Sequence, residues 1–358
     1  MKNISWRLVL VFAVLVAAII YILPSFKPTL WPHKQINLGL DLQGGMHLVL
    51  EVDTEKAVDS TTERISQEIR EQLKNERIRH VSVNRIEGSR ISVEVNKEES
   101  IDKLKALLDD EFRDLRELSK TETGGSYAVV MDIPDPDREQ IKKLAVDQAL
   151  ETIRNRIDQF GVAEPDIRRQ GENRILIQLP GISDTQRAKD LIGKTALLEF
   201  KLVDDTGSVD AAVKGTIPPG RELLYQVEED PQTRRTTKTP FLLRKRSLLT
   251  GASLTDARVQ IDSQFNEPYV SINFDKKGAR IFERITADNV NNRLAIVLDN
   301  NVYSAPVIQE KIAGGQARIT GRFTTEEARD LAIVLRAGAL PAPVNILDER
   351  TVGPSLGA

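Results

Sequence analysis

Cysteine is absent from this sequence, and histidine occurs only at His33, His47 and His80. Without a thiol there is no disulfide framework, thiolate nucleophile or Cys-ligated metal, and three scattered histidines cannot build a histidine-rich metal centre. Nor is there an excess of one charge. Against 53 Asp and Glu stand 50 Lys and Arg, a net charge of -3, which gives no electrostatic footprint for nucleic acid. The GxxxxGK[ST] phosphate loop and the GxSxG nucleophile elbow are both missing. The string GGQARITGRF (Gly314 to Phe323) has three glycines but not the GxGxxG spacing of a dinucleotide site. The expectation is therefore no catalytic residue, no metal site, no cofactor and no nucleic-acid partner.

What the chain does have is length and apolar content. Its 358 residues, 40% hydrophobic and 29% charged, are enough for two or three packed domains and too apolar for general disorder. The run from Leu8 to Leu23 (LVLVFAVLVAAIIYIL) is unbroken. Extended back to Ile4 it gives about 20 residues, or roughly 30 Å of helix, the thickness of a bilayer core. Lys2 and Arg7 precede it, so the positive-inside rule puts the N-terminus in the cytoplasm and residues beyond Pro24 across the membrane. Tyr21-Ile22-Leu23-Pro24 offers no small-x-small cleavage site, which favours a retained anchor over a cleaved signal peptide.

Residues 53 to 108 align without gaps on residues 137 to 192, an offset of 84, and internal repetition of this kind sets the architecture. Helical periodicity puts Ile65, Ile69 and Leu73 on one face and Ala149, Ile153 and Ile157 at the same offsets in the second copy. Asp53 and Asp137 suit the N-caps. Strict alternation follows in RISVEV and RILIQL, then a second helix in each copy, Ser100 to Leu108 and Asp184 to Ile192. With GMHLVLEV, YAVVMDI and TALLEFKLV as flanking strands, the order is β-α-β-β-α-β, the ferredoxin-like arrangement. The expected fold class is α+β: a ferredoxin-like base, internally duplicated, and a second α+β head subdomain, behind one N-terminal transmembrane helix.

From Asp204 to Thr250 proline, glycine and charge runs lack sustained periodicity and read as a boundary with long loops; the basic cluster there, Arg234, Arg235, Lys238, Arg244, Lys245 and Arg246, reads as solvated. A second α+β unit begins at Gly251. It has strands near 257–261, 269–274, 294–298 and 302–308, a helix over 277–290, and a helix over 325–336 with a capping box at Thr324 and Glu327 and a stop at Gly338. In GLDLQGGMHLVLEV the even-numbered apolar residues share a strand face and Gly44-Gly45 marks a bulge or close approach. Asp41 in the same string has no acid–base partner nearby and reads as structural. The closing segment, Leu335 to Gly357, reads as a semi-rigid connector.

Five strings carry a family resemblance: GLDLQGG, TIRNRIDQFGVAEPDI (Thr152 to Ile167), ILIQLPG (Ile175 to Gly181), RLAIVLDNNVYSAPVI (Arg293 to Ile308) and LRAGALPAPVNILDERTVGPSLG. In this order they resemble the SecD/SecF family of bacterial Sec protein-export subunits, within the resistance-nodulation-division superfamily. The resemblance implies a transmembrane helix over 1–30 and a periplasmic base over 35–203. The base would contain repeats of about 46–133 and 127–203 and be completed by 340–347. A mobile head over 204–338 and a connector over 348–358, leading to a second membrane helix, complete the scheme. Asp41, Gly44, Gly45, Gly161, Pro165, Pro180 and Gly181 would be structural motif residues. Gly338, Pro341, Pro343, Gly353 and Pro354 would be hinge or connector residues, with a second hinge point at Val203 to Thr206, and client-binding residues would lie within 204–338. Implied partners are SecF, the SecYEG channel, YajC, membrane lipid and an unfolded preprotein, at the cell inner membrane. Proton-conducting residues are expected in helices beyond Ala358, so none is assigned, and the chain is expected to be a portion of a longer protein. Two other readings stay open, a subunit of a related efflux or lipid transporter and a membrane-anchored extracytoplasmic hydrolase.

Overall fold

The computed structural model describes residues 6–26, 44–78, 82–86, 88–96, 98–123, 126–229, 236–264 and 266–353. Asp41, Pro354, His33, His80, Arg234 and Arg235 lie outside the described residues. Among the described residues the fold is α+β, with four sheets, antiparallel but for one parallel bridge. Helix α1 (Trp6–Phe26) covers the apolar run. Among the described residues no helix is long and apolar enough to cross a membrane; the described side chains of α1 are Trp6 and 9–18.

Strand β1 (Gly45–Val52) leads into α2 (Thr54–Asn75), capped by Asp53, whose carboxylate accepts from the Lys56 amide. The hairpin β2 (Ser82–Arg85) and β3 (Arg90–Val95), helix α3 (Glu98–Glu111), and the pair β4 (Arg116–Thr123) and β5 (Ser126–Asp132) follow. The pattern then repeats with α4 (Asp135–Phe160), β6 (Asp166–Gln170), β7 (Arg174–Pro180) and α5 (Thr185–Gly193). Asp137 is not the cap of α4. Pro134 takes the N-cap position and Asp135 and Asp137 fall in the first turn, where their charge complements the helix dipole.

Strand pairing departs from the order expected of two self-contained units. The sheets run β17-β1-β7-β6 and β2-β3-β5-β4, so β1 pairs with the hairpin of the second copy and β5 with that of the first. The cause is the apolar face of β1. Met46, Leu48, Leu50 and Val52, at most 1% exposed, share a core with Ala145, Val146, Ala149 and Ile153 of α4, which Ala57 at the start of α2 joins. Ile69 and Leu73 of α2 instead cover Val83, Ile91, Val93, Val129 and Met131.

Strand β8 (Leu198–Leu202), expected to close the base, belongs to a different sheet. Beyond it come α6 (Val209–Val213), β9 (Arg221–Glu229), β10 (Thr236–Arg244), β11 (Leu249–Thr250), β12 (Leu254–Ile261), β13 (Pro268–Phe274) and α7 (Lys276–Asp288). After these come β14 (Leu294–Leu298), β15 (Asn301–Ser304), β16 (Gln316–Ile319), α8 (Thr325–Ala337) and β17 (Val344–Val352). The six-stranded sheet is β10-β9-β15-β14-β8-β11 and the three-stranded one β12-β13-β16. Leu198, Phe200 and Leu202 point into the core that also holds Phe274, Phe282 and Leu331, while Phe200 meets Phe274 edge-on at 5.6 Å. This burial draws β8 to the head, and the closing place beside β1 in the base sheet is taken by β17.

The segment read as long loops contains the β9–β10 hairpin, nine residues paired with nine. Pro240 is tolerated because β10 is an edge strand there. The capping box of α8 forms as the sequence predicts, with the Glu327 amide donating to Thr324 Oγ1 (3.1 Å) and the Thr324 amide to Glu327 Oε2 (2.8 Å). Thr324→Ala should cost about 1 kcal/mol, read as a fall of a few degrees in Tm; an unchanged Tm would show that the box is not stabilising.

Candidate functional site: the junction between base and head

Register brings most motif glycines and prolines to one end of the base sheet. Gly45 lies opposite Pro180 on one side and Val352 on the other. Gly44 (φ 71), Gly45 (φ 141) and Gly181 (φ 68) all take positive φ, and the Gly181 amide donates to Gly44 O at 2.9 Å. A side chain at these positions would be strained by the backbone alone. Asp166 at the start of β6 sits opposite Gln178, so the Gly161–Pro165 turn is at this same end. Gly161 (φ 90) closes α4 by donating to Ile157 O and Asp158 O. Gly353 follows Val352 here and is exposed. Both outward connections, back toward α1 and onward past Gly353, leave from this end.

Two connections join base and head, and the one that enters β17 does so at Val344, opposite Val52 at the far end of β1. One runs from α5 through Lys194–Leu197 into β8; the other runs from α8 through Gly338–Pro343 into β17. The first connection is thus not at Val203–Thr206, because Val203 already bridges to Leu243 within the six-stranded sheet. Leu340 N donates to Thr195 O (2.8 Å), tying the connections together, and Pro343 O accepts from Asp53 N (2.9 Å). Pro341 lies between these two bonds.

Arg156 of α4 holds both connections. Fully buried at 0% exposure, it donates to Leu191 O (2.9 Å), Ile192 O (3.2 Å), Lys194 O and Thr195 O (3.5 Å) on one, and to Gly338 O (2.9 Å) on the other. Leu191 and Ile192 end α5, so their carbonyls have no helical partners and attract a cation. Burial pushes the guanidinium down to about 10, with Asp299 pulling the other way, and it remains charged at neutral pH. Asp299, in the β14–β15 turn, grips the same connection from the head side: its carboxylate accepts from the amides of Ala196 and Leu197, both at 2.9 Å. One stretch of main chain is therefore held at its carbonyls by a base cation and at its amides by a head anion. Ala196 has φ 60, an uncommon conformation for a side-chain-bearing residue that this grip sustains.

Beside the connections α5 faces α8. Arg187 forks onto Asp330 (3.0 and 2.7 Å), also pairs with Glu326, and lies over the Phe160 ring at 5.3 Å. These residues border a cleft of about 890 Å³ whose walls include the Tyr303–Phe323 pair, stacked at 5.9 Å, and Thr324. Its lining mixes charged and polar side chains with apolar ones such as Val227, Phe323 and Leu331. Burial, then Asp299 and Glu327, push the Tyr303 hydroxyl up, so it is neutral and can donate.

Sequence reasoning missed Arg156 and Asp299 as joint residues. The signal for Arg156 was present: it falls on the apolar stripe of α4, between Ile153 and Ile157, where an unpaired cation has no place unless it is enclosed.

Family models match three spans: the SecD/SecF GG motif over 29–56, the N-terminal part of the SecDF P1 domain over 146–205, and the SecDF P1 head subdomain over 222–342. The chain is 49% identical over 366 residues to the protein translocase subunit SecD of Syntrophobacter fumaroxidans, covering 100% of this chain and 69% of that protein. The chain belongs to the SecD family of protein translocase subunits. It is 51% identical over 326 residues to the SecD of Calditerrivibrio nitroreducens, covering 90% of this chain and 63% of that one. A SecDF crystal structure in a super-membrane-facing form is similar at TM-score 0.51 and 30% identity, over 98% of this chain and 35% of that one. Relative to those SecD proteins the chain spans about two thirds of their length. The matched spans omit residues 57–145, the stretch holding α2 to β5.

Proposed function

We infer that this chain is the membrane-anchoring and periplasmic part of a SecD subunit that helps complete preprotein export. In this reading α1 crosses the inner membrane with its start in the cytoplasm. The sheet β17-β1-β7-β6, with α4 and α5, is a ferredoxin-like base; β2-β3-β5-β4 with α2 and α3 is its duplicate, each copy having exchanged its leading strand with the other. The head, about 204–338 with β8 added, binds the emerging unfolded chain, and proton flow through membrane helices outside this chain moves it. SecF is the partner the family implies; SecYEG, YajC and lipid complete the assembly.

The observation that carries this reading is the likeness to SecD over the whole of this chain, together with the junction geometry: Gly44 and Gly353 lie at the same end of the base sheet, and the two connections to the head are tied to each other and pinned by Arg156. The cleft sets charged residues such as Arg187, Glu326 and Asp330 beside Phe323, Leu331 and Val334, and is not the predominantly apolar pocket that an efflux or lipid carrier needs. The carboxylates held below the usual range are each paired with arginine rather than converging on a cleft. For Asp132, burial pushes up but the Ser89 hydroxyl and Arg116 outweigh it, and Arg221 holds Asp204 down to about 2.

Gln264, Asn300 and Gln309 are exposed head positions suited to photo-crosslinking in cells while a secretory protein is stalled during export. Crosslinks to the stalled chain that vanish when export is blocked upstream are expected. Their absence, with the protein expressed and SecF attached, would return weight to the transporter and hydrolase readings.

A further inference from the structure

Arg156 and Arg187 stand on consecutive helices of the base and both reach toward the head, by contacts of opposite kind. The acceptors of Arg156 are main-chain oxygens of both connections, enclosed from water, and releasing them would strand a buried charge and several carbonyls. The acceptors of Arg187 are carboxylates of α8 at the cleft edge, Glu326 65% and Asp330 16% exposed beside Arg187 at 24%, so these are side-chain ion pairs that border water and open more readily than an enclosed cage of main-chain oxygens. The two sets of contacts differ in reach as well. Those of Arg156 lie on the connecting chain itself, whereas Arg187 joins the flank of α5 to the flank of α8.

Building on the proposed function, we propose that the junction is divided into a permanent pivot and a releasable latch. The head turns about the segment held between Arg156 and Asp299, and the fork from Arg187 to Asp330 and Glu326 fixes the orientation seen here. The Leu340–Thr195 bond makes the two connections one strap, so a turn need not break any bond of the pivot. Opening the fork separates α5 from α8 and widens the cleft between them. Phe160 packs against the cores of both base and head and carries Arg187 on its ring, so the latch sits beside the pivot and a small loss there gives a large swing farther out. Arg187 is thus a positioning residue for the head.

Because the chain has no cysteine, two introduced cysteines carry spin labels without competition from it. Labels at Glu172 of the base and Glu310 of the head, both exposed, in the full-length protein in lipid nanodiscs, report head orientation by electron–electron distance measurement. The unaltered latch should give one dominant distance at low ionic strength. Arg187→Ala should shift at least half of the population to a second, discrete distance, and raising salt from about 0.05 to 0.5 M, which shortens screening to a few ångströms, should do so in part. Arg156→Lys and Asp299→Asn, which loosen the strap without opening the fork, should broaden the distribution about the original distance. An Arg187→Ala distribution identical to that of the parent overturns the latch. Arg156→Lys giving the same second distance as Arg187→Ala overturns the division into two devices. Export stimulation by the same variants separates this inference from the functional reading: a shifted distance with unchanged export keeps the latch and overturns the role of head motion in export.

Discussion

Arg156→Met should be among the most damaging single substitutions in this chain, lowering stability by about 3–5 kcal/mol, a fall of roughly 10 °C in the Tm of the periplasmic part. Two effects oppose one another. Removing the guanidinium relieves the cost of burying a charge, a cost visible in its lowered pKa. It also leaves the carbonyls of Leu191, Ile192, Lys194 and Gly338 without donors in a site closed to water, at about 1–3 kcal/mol for each that finds no substitute. With four such groups the second effect wins unless water enters. Arg156→Lys should lose less, since one ammonium can still serve carbonyls of one connection but cannot fork across both. Calorimetry on the three proteins decides it: a methionine variant within about 1 °C of the parent would mean that the carbonyls are hydrated on opening and that the cage is not structural.

How far the residues announced this arrangement depends on whether the cause was local. The helices α2, α5 and α8 were legible because each carries an apolar stripe and a cap within its own sequence, at Asp53, Asp184 and Thr324, and α4 was legible by its stripe although its expected cap, Asp137, falls in the first turn. The repeat offset was legible for the same reason: β2–β3 and β6–β7 recur where the alignment puts them. Partner choice was not. Nothing within GMHLVLEV says that it pairs with β7 rather than β3, and alternation in TALLEFKLV fits either sheet; long-range burial decides both. The β9–β10 hairpin escaped because burial does not alternate along it: 221–226 are all half-buried, and adjacent Leu242 and Leu243 are both fully buried, so no period-2 pattern records it. The motif glycines at Gly44, Gly45 and Gly181 were visible as residues needing unusual backbone, but their meeting at one sheet end follows only from register. Arg156 lay in plain view as a charge on an apolar stripe, whereas its acceptors, being main-chain oxygens, have no sequence signature at all.

Holding the latch closed covalently should stop the export contribution while leaving the fold intact. Cysteines in place of Arg187 and Asp330, in a chain that otherwise has none, can be joined by a short bismaleimide with a cleavable core. The replaced side chains meet through two hydrogen bonds, so a linker spanning about one salt bridge fits without moving α5 or α8, and the pivot at Arg156 and Asp299 is untouched. If head motion drives completion of export, the joined protein should fall to the level of a strain lacking this subunit, several-fold below the same protein after linker cleavage. Unjoined double-cysteine protein controls for the loss of the ion fork itself, and joined protein with an unchanged Tm controls for damage to the fold. The comparison of joined with cleaved protein isolates motion, since the two differ in no residue. Full export with the linker in place would show that α5 and α8 need not part, and that any head movement during export arises at a different joint.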